Sequence, residues 1–225
     1  MKSTIAVLNL TMNSNGEQKT INPSLIWNDE EVILVDTGVP GQLDAIRDEM
    51  NKLGVSFTRL TKVIITHHDL DHIGSLPEIL DASEQKITVF AHPLAKPYIE
   101  GDKRLLKLKD PKVVPPKAKV DQTVEGDDVL PECGGIKVIF TPGHTPDHIS
   151  LYHIESKTVI AGDATIAVNG EVKGPNPQYT LNMKEAYQSI GKLLAYETAQ
   201  IICYHGGVCP ESEKQRLEKL YQENA

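Results

Sequence analysis

"THHDLDHIG", residues 66–74, places three histidines and two aspartates within seven positions, directly behind the apolar run Val63, Ile64 and Ile65. An apolar run of strand composition that stops in imidazoles and carboxylates is a buried element delivering polar groups to one end. Residues 67, 69 and 71 are two apart, so an extended segment projects His67, Asp69 and Asp71 to one side. A helix starting near residue 71 turns His72 back toward the same point. One stretch can therefore supply two adjacent metal positions. Imidazole nitrogen and carboxylate oxygen together, without cysteine, suit zinc, manganese or iron better than copper.

Three other apolar runs end in the same manner. Residues 138–140 run into "TPGHTPDH", 159–161 into "GDA" and 201–203 into "YHGG". Each alone reads as a turn; four around a His/Asp cluster do not. Further strand-like runs lie at 5–8, 24–27, 32–35, 87–90 and 149–152, and helical spacing at about 40–53, 75–82, 182–195 and 211–223. Short polar turns early in the chain favour antiparallel hairpins, so mixed sheets with helices outside them are expected. A faint echo pairs "VILVDTG", helix, "KVIITHH" with "TVIAGDA", helix, "QIICYHG", as two related halves would. With no evident linker, residues 1–225 are expected to form one domain.

A net charge of -8 argues against a general nucleic-acid binder, which needs a clustered positive surface. No apolar run approaches the roughly 18 residues needed to cross a membrane, and the first residues lack a signal-peptide pattern, so a cytoplasmic location is expected. The three cysteines, Cys133, Cys203 and Cys209, have no CxxC spacing and read as ordinary thiols. Cys203, two positions from His205, could be a nucleophile beside a base, but alternation behind a strand favours a packing role. The segment 96–119 departs from the acidic balance, with eight Lys/Arg against three Asp/Glu. It is either a solvated insertion or a flap that attracts an anionic substrate.

From "VDTG" through the histidine loop, "TPGHTPDHIS" and "AGD" to "YHGG", the chain resembles the metallo-β-lactamase superfamily. The resemblance implies an α/β, four-layer αββα sandwich with two divalent metal ions in a cleft at one sheet edge. It implies His67 and His144 as ligands of the first ion, Asp71, His72 and His205 as ligands of the second, and Asp163 as a bridge; Asp69 is expected to bind the first ion through one oxygen, the alternative being a carboxylate that is only hydrogen-bonded. Asp36 would support the ligand loop. Position 69 departs from the family's His-x-His-x-Asp-His pattern, and a carboxylate there favours harder ions. Zinc is expected first, with iron or manganese as alternatives. His68 falls on the far side of the alternation, His148 is expected to support its loop, and His92 and His153 are expected to be structural. Asp147 stands where the family often has glycine, which would disfavour a left-handed backbone at that point.

The expected function is hydrolysis of a small, anionic-leaning ester, lactone or thioester by water activated at the metal pair, with Asp71 handling the proton. Tyr179, on the loop after the bridging strand, is a candidate substrate contact or a packing residue. An iron-dependent redox enzyme of the sulfur dioxygenase or di-iron type, or a phosphodiesterase, is the alternative. The expected partners are a small molecule and, at most, a second copy of the chain as a homodimer, without nucleic acid or membrane.

Overall fold

Alternation decides the layers. In the computed structural model, which describes residues 2–14, 16–210 and 213–225, Val32 and Leu34 face one apolar cluster while Ile33 and Val35 face another. Val63 and Ile65 likewise part from Ile64, Val159 and Ala161 from Ile160, and Ile201 and Cys203 from Ile202. Strands apolar on both faces must be covered on both, so each sheet lies between helices and the other sheet.

The chain begins with β1 (Thr4–Val7), β2 (Leu10–Ser14), β3 (Glu17–Ile21), β4 (Ser24–Trp27) and β5 (Val32–Val35), followed by α1 (Leu43–Lys52). Next come β6 (Leu60–Ile65), α2 (Leu70–Ile73), α3 (Leu76–Ala82), β7 (Thr88–Ala91), α4 (Lys96–Ile99), β8 (Gln122–Thr123) and β9 (Val129–Leu130). The remainder comprises β10 (Ile136–Phe140), β11 (Ile149–His153), β12 (Thr158–Gly162), β13 (Ile166–Val168) and β14 (Glu171–Lys173). It closes with α5 (Met183–Leu193), β15 (Gln200–Cys203), β16 (Gly207–Pro210) and α6 (Glu213–Asn224). Glu211 and Ser212, the first residues of the expected last helix, lie outside the described residues.

One six-stranded sheet has the order β1-β4-β5-β6-β7-β8 and the other β16-β15-β12-β11-β10-β9. Ile46 and Met50 of α1 and Ile79 of α3 cover the first sheet, and Ile190 and Leu193 of α5 with Leu217 of α6 cover the second. Ile26, Ile64, Val138, Leu151 and Ile202 fill the space between the sheets. Fully burying each such side chain is worth about 1.5–3 kcal/mol. The expected αββα arrangement is therefore found.

The two strand-helix-strand units of the sequence echo are both present: β5-α1-β6 and β12-α5-β15 each end in a parallel pair. Ligands collect beyond the carboxyl ends of such strands. Here Asp36 and His67 follow one pair, and Asp163 and His205 the other. A backbone bond from Ile149 N to Thr66 O (2.9 Å) ties the sheets together beside these ends.

Candidate metal centre

Thr66 and Asp36 set the histidine loop. The Asp36 carboxylate accepts the Thr66 N–H (2.8 Å), the Thr66 hydroxyl (2.8 Å) and the His72 Nδ1–H (2.9 Å). With its hydroxyl proton given to Asp36, Thr66 Oγ1 accepts from His67 Nδ1 (3.1 Å). Both imidazoles are thereby oriented through Nδ1, with Nε2 aimed inward. Asp36 sits at φ 64°, a left-handed conformation that Asp and Asn tolerate better than most residues. Asp36→Asn keeps that backbone and removes the charge. It is expected to weaken metal affinity 10–100-fold in competition with a chromophoric chelator; unchanged affinity would remove Asp36 from this role.

After His67 and Asp69, α2 turns His72 back as expected. The turn requires Gly74, since a Cβ there would meet Val39 C at 2.3 Å. His144 is held by α5: Gly143, at φ 130°, lies against Ala186, and the Ser189 hydroxyl donates to Pro142 O (2.7 Å). His148 Nδ1–H donates to Thr141, leaving Nε2 to accept the Asp163 N–H at 2.9 Å. Burial pushes its pKa down to about 3, so it stays neutral in that role.

These elements bring all seven expected ligand residues together. Donor atoms lie within 4.8 Å of one another in three sets: His67, Asp69 and His144; His67, His72 and Asp163; and Asp71, His72 and His205. Asp163 Oδ2 is 3.2 Å from His144 Nε2 and 3.3 Å from His205 Nε2, and its Oδ1 is 3.5 Å from His72 Nε2. His67 Nε2, Asp69 Oδ1, His72 Nε2 and Asp163 Oδ1 are buried without a hydrogen-bond partner. Leaving such atoms unsatisfied costs about 1–3 kcal/mol each. A donor set of four inward imidazole nitrogens and three carboxylates fits divalent cations, which would satisfy these atoms.

The charges point the same way. Burial would lower the His72 and His205 pKa values, but Asp163, Asp71 and, for His72, Asp36 outweigh it; His72 is held well above its ordinary value and His205 is pushed up to about 10. Burial would raise the Asp163 and Asp69 carboxyls, yet the surrounding imidazoles hold both well below the usual range. The pocket is built to keep carboxylates ionised and to welcome positive charge.

The other histidines are structural. His68 is buried, with Nδ1–H on Asp147 Oδ1 (2.7 Å) and its ring stacked on Tyr98 at 4.1 Å. Asp147 has no left-handed backbone; instead its second oxygen accepts the His68 N–H (3.0 Å). His92 stacks on Phe140, and His153 bonds Ser156 and Cys133 O. Cys203 is buried with its thiol pKa raised well above the ordinary value by Cys209 and burial, which leaves it a packing residue.

Two residues beyond the expected set touch the centre. Tyr204 lies 3.8 Å from the His72 ring, and its hydroxyl donates to Asp71 O. Lys107, from the basic segment, has Nζ 2.5 Å from Asp69 Oδ2 and 2.7 Å from His144 Nε2. That segment is thus a wall of the site as well as a source of surface charge. A cavity of about 440 Å³ opens over the cluster, walled by Met12, Val39, Leu70, Leu105, Leu108 and Ile166 and bordered by Lys19 and Tyr179.

Residues 17–205 match the family model of the metallo-beta-lactamase superfamily. A probable metallo-hydrolase of Bacillus subtilis, YflN, is 30% identical over 77% of this chain and 75% of its own length. A hydroxyacylglutathione hydrolase of Ectopseudomonas mendocina is 28% identical over 65% of this chain and 47% of its own length. Among solved structures, a metallo-beta-lactamase from Pontibacter korlensis superposes with a TM-score of 0.75 at 17% identity, covering 99% of this chain and 96% of that one. A metallo-beta-lactamase family protein from Thermus thermophilus gives 0.74 at 22% identity, over 97% and 78%. Fold, motif order and family model agree, and the chain belongs to the metallo-β-lactamase superfamily.

Proposed function

We propose that this metal-dependent hydrolase uses two divalent ions, zinc first, to cleave a small ester, lactone or thioester bearing an anionic group. His67, Asp69 and His144 would hold one ion, Asp71, His72 and His205 the other, with Asp163 shared. The carrying observation is the fusion of the donor sets through Asp163 on the floor of an apolar-walled cavity. When bound, such an ion pair supplies an acidified water and a Lewis-acidic centre for the scissile carbonyl.

The chain's own residues do the rest. Asp71 is 23% exposed at its side chain, against 8% for Asp163 and 10% for Asp69, and is the carboxylate of the set most open to the cavity. In this reading Asp71 takes a proton from the attacking water and returns it to the leaving group. The apolar walls exclude solvent around an acyl or alkyl group, and Lys19 at the rim attracts a substrate anion. Tyr179 lines the same cavity and is 40% exposed, so its phenol would be open to substrate. The relative named for hydroxyacylglutathione hydrolysis supports acyl transfer to water over phosphoryl transfer.

The test pairs metal analysis of chelator-free protein with rates on carboxylate-bearing and neutral lactones, thioesters and a phosphodiester. Two ions per chain and a preference for the anionic acyl substrates are expected. Asp69 among the donors gives the iron reading its footing; stoichiometric iron with oxygen consumption would replace the hydrolytic proposal by a redox one.

A further inference from the structure

The Lys107 ammonium points into the donor set, not away from it. Its side chain is 20% exposed and donates to both Asp69 Oδ2 and His144 Nε2. His144 can accept only through an unprotonated Nε2, which leaves Nδ1–H for Thr180 Oγ1 at 3.3 Å. The nitrogen facing Lys107 is therefore the one a metal ion would use.

The lysine is delivered there by built structure. Leu105 is 3% exposed and packed in the core beneath the first sheet. The Leu106 N–H approaches His68 Nε2 at 3.4 Å, the lone pair left free because His68 Nδ1–H is on Asp147. His68 thus couples the ligand loop to the backbone beside Lys107, and Tyr98, stacked on it, belongs to the same basic segment. Other lysines of that segment pair outside the cluster, Lys96 with Glu100 and Lys119 with Asp121.

Charge gives the arrangement its meaning. Three neutral histidines leave a divalent ion's charge undiminished; two histidines and Asp69 subtract one unit, and a lysine hydrogen-bonded to that carboxylate restores it. We propose that Asp69 and Lys107 act as one unit in place of a histidine at the first metal position, with Lys107 as the positioning residue that offsets the carboxylate's charge. The inference rests on the two-ion reading of the site.

The test is a double-substitution cycle in the full chain, read as Zn²⁺ stoichiometry and first-site affinity by chelator competition, with Co²⁺ absorption reporting the ligand field. Lys107→Met is expected to tighten first-site affinity about tenfold while lowering kcat, because the carboxylate is left uncompensated. Lys107→Arg keeps the charge and is expected to restore wild-type affinity. Asp69→His leaves the ammonium facing the ion and should weaken it about tenfold or more; adding Lys107→Met should recover that loss. Additive effects, or equal weakening by Lys107→Met and Lys107→Arg, would overturn the proposal while a two-ion wild type left the function intact. A wild type holding no first-site ion would overturn both.

Discussion

Asp163→Asn is expected to reduce kcat/KM at least ~10³-fold, about 4 kcal/mol of transition-state stabilisation, and to leave at most one tightly held ion per chain. The size follows from position. The carboxylate approaches imidazoles from three separate segments, His72 of α2 and the loop residues His144 and His205, at 3.5, 3.2 and 3.3 Å. Asn preserves volume and one acceptor oxygen but removes the charge that both ions would share. The surroundings hold the side chain in place: His148 fixes the Asp163 N–H, and Gly162, at φ 55°, lies so close that a Cβ would meet His148 Nε2 at 2.7 Å. The substitution therefore acts on charge, with the loop retained. Metal analysis and kinetics on the same sample decide it; two bound ions with more than about a tenth of wild-type activity would remove Asp163 from the centre.

That residue was legible in the sequence because the chemistry demanded a visible pattern. A hydrophobic strand must bury both faces, so a sudden Gly-Asp at its end stands out, and His67, His144 and His205 share that signature. The apolar runs at 32–35 and 63–65 mark their strands in the same way, whereas the four-layer order follows from the family resemblance; the split of Ile33 from Leu34 and Ile64 from Val63 between two clusters emerges only in the fold. Less regular features escaped. The hairpin of β13 and β14 turns on Asn169 and Gly170, both at positive φ, an Asn-Gly signal flanked by strands of only three residues each. It matters, since the Ala167 N–H donates to His205 O (2.8 Å) and Ile166 lines the cavity. Tyr204 alternates away from His205 along its strand, and only the crossing of the histidine loop brings the His72 ring against it. In the sequence Lys107 belongs to a basic run that admits two readings, a solvated insertion or a flap for an anionic substrate. Its approach to Asp69, 38 residues earlier, is made by irregular backbone, for which the sequence carries no period to read.

Removing the metal should reverse the pH dependence of stability. In the metal-free chain His205 is pushed up to about 10 by Asp163 and Asp71 against the opposing pull of burial, from an ordinary 6.5. A raised folded pKa stabilises fully below the unfolded value and is lost as pH climbs through the folded one. The chelated protein should therefore weaken between about pH 6.5 and 10. The shift alone would amount to about 5 kcal/mol; the imidazole is 31% exposed, and screening leaves about 2 kcal/mol. His72, also raised, adds to the same loss, whereas the depressed Asp69 and Asp163 lose their contribution only as pH falls below the usual carboxylate range. Bound ions require the same imidazoles neutral, so protons compete with metal and loading stabilises more as pH rises. Melting curves of chelated and zinc-loaded protein from pH 6 to 10 should diverge upward in pH. Parallel curves would mean that the histidines do not exchange protons for metal, and the ligand assignment would fall with them.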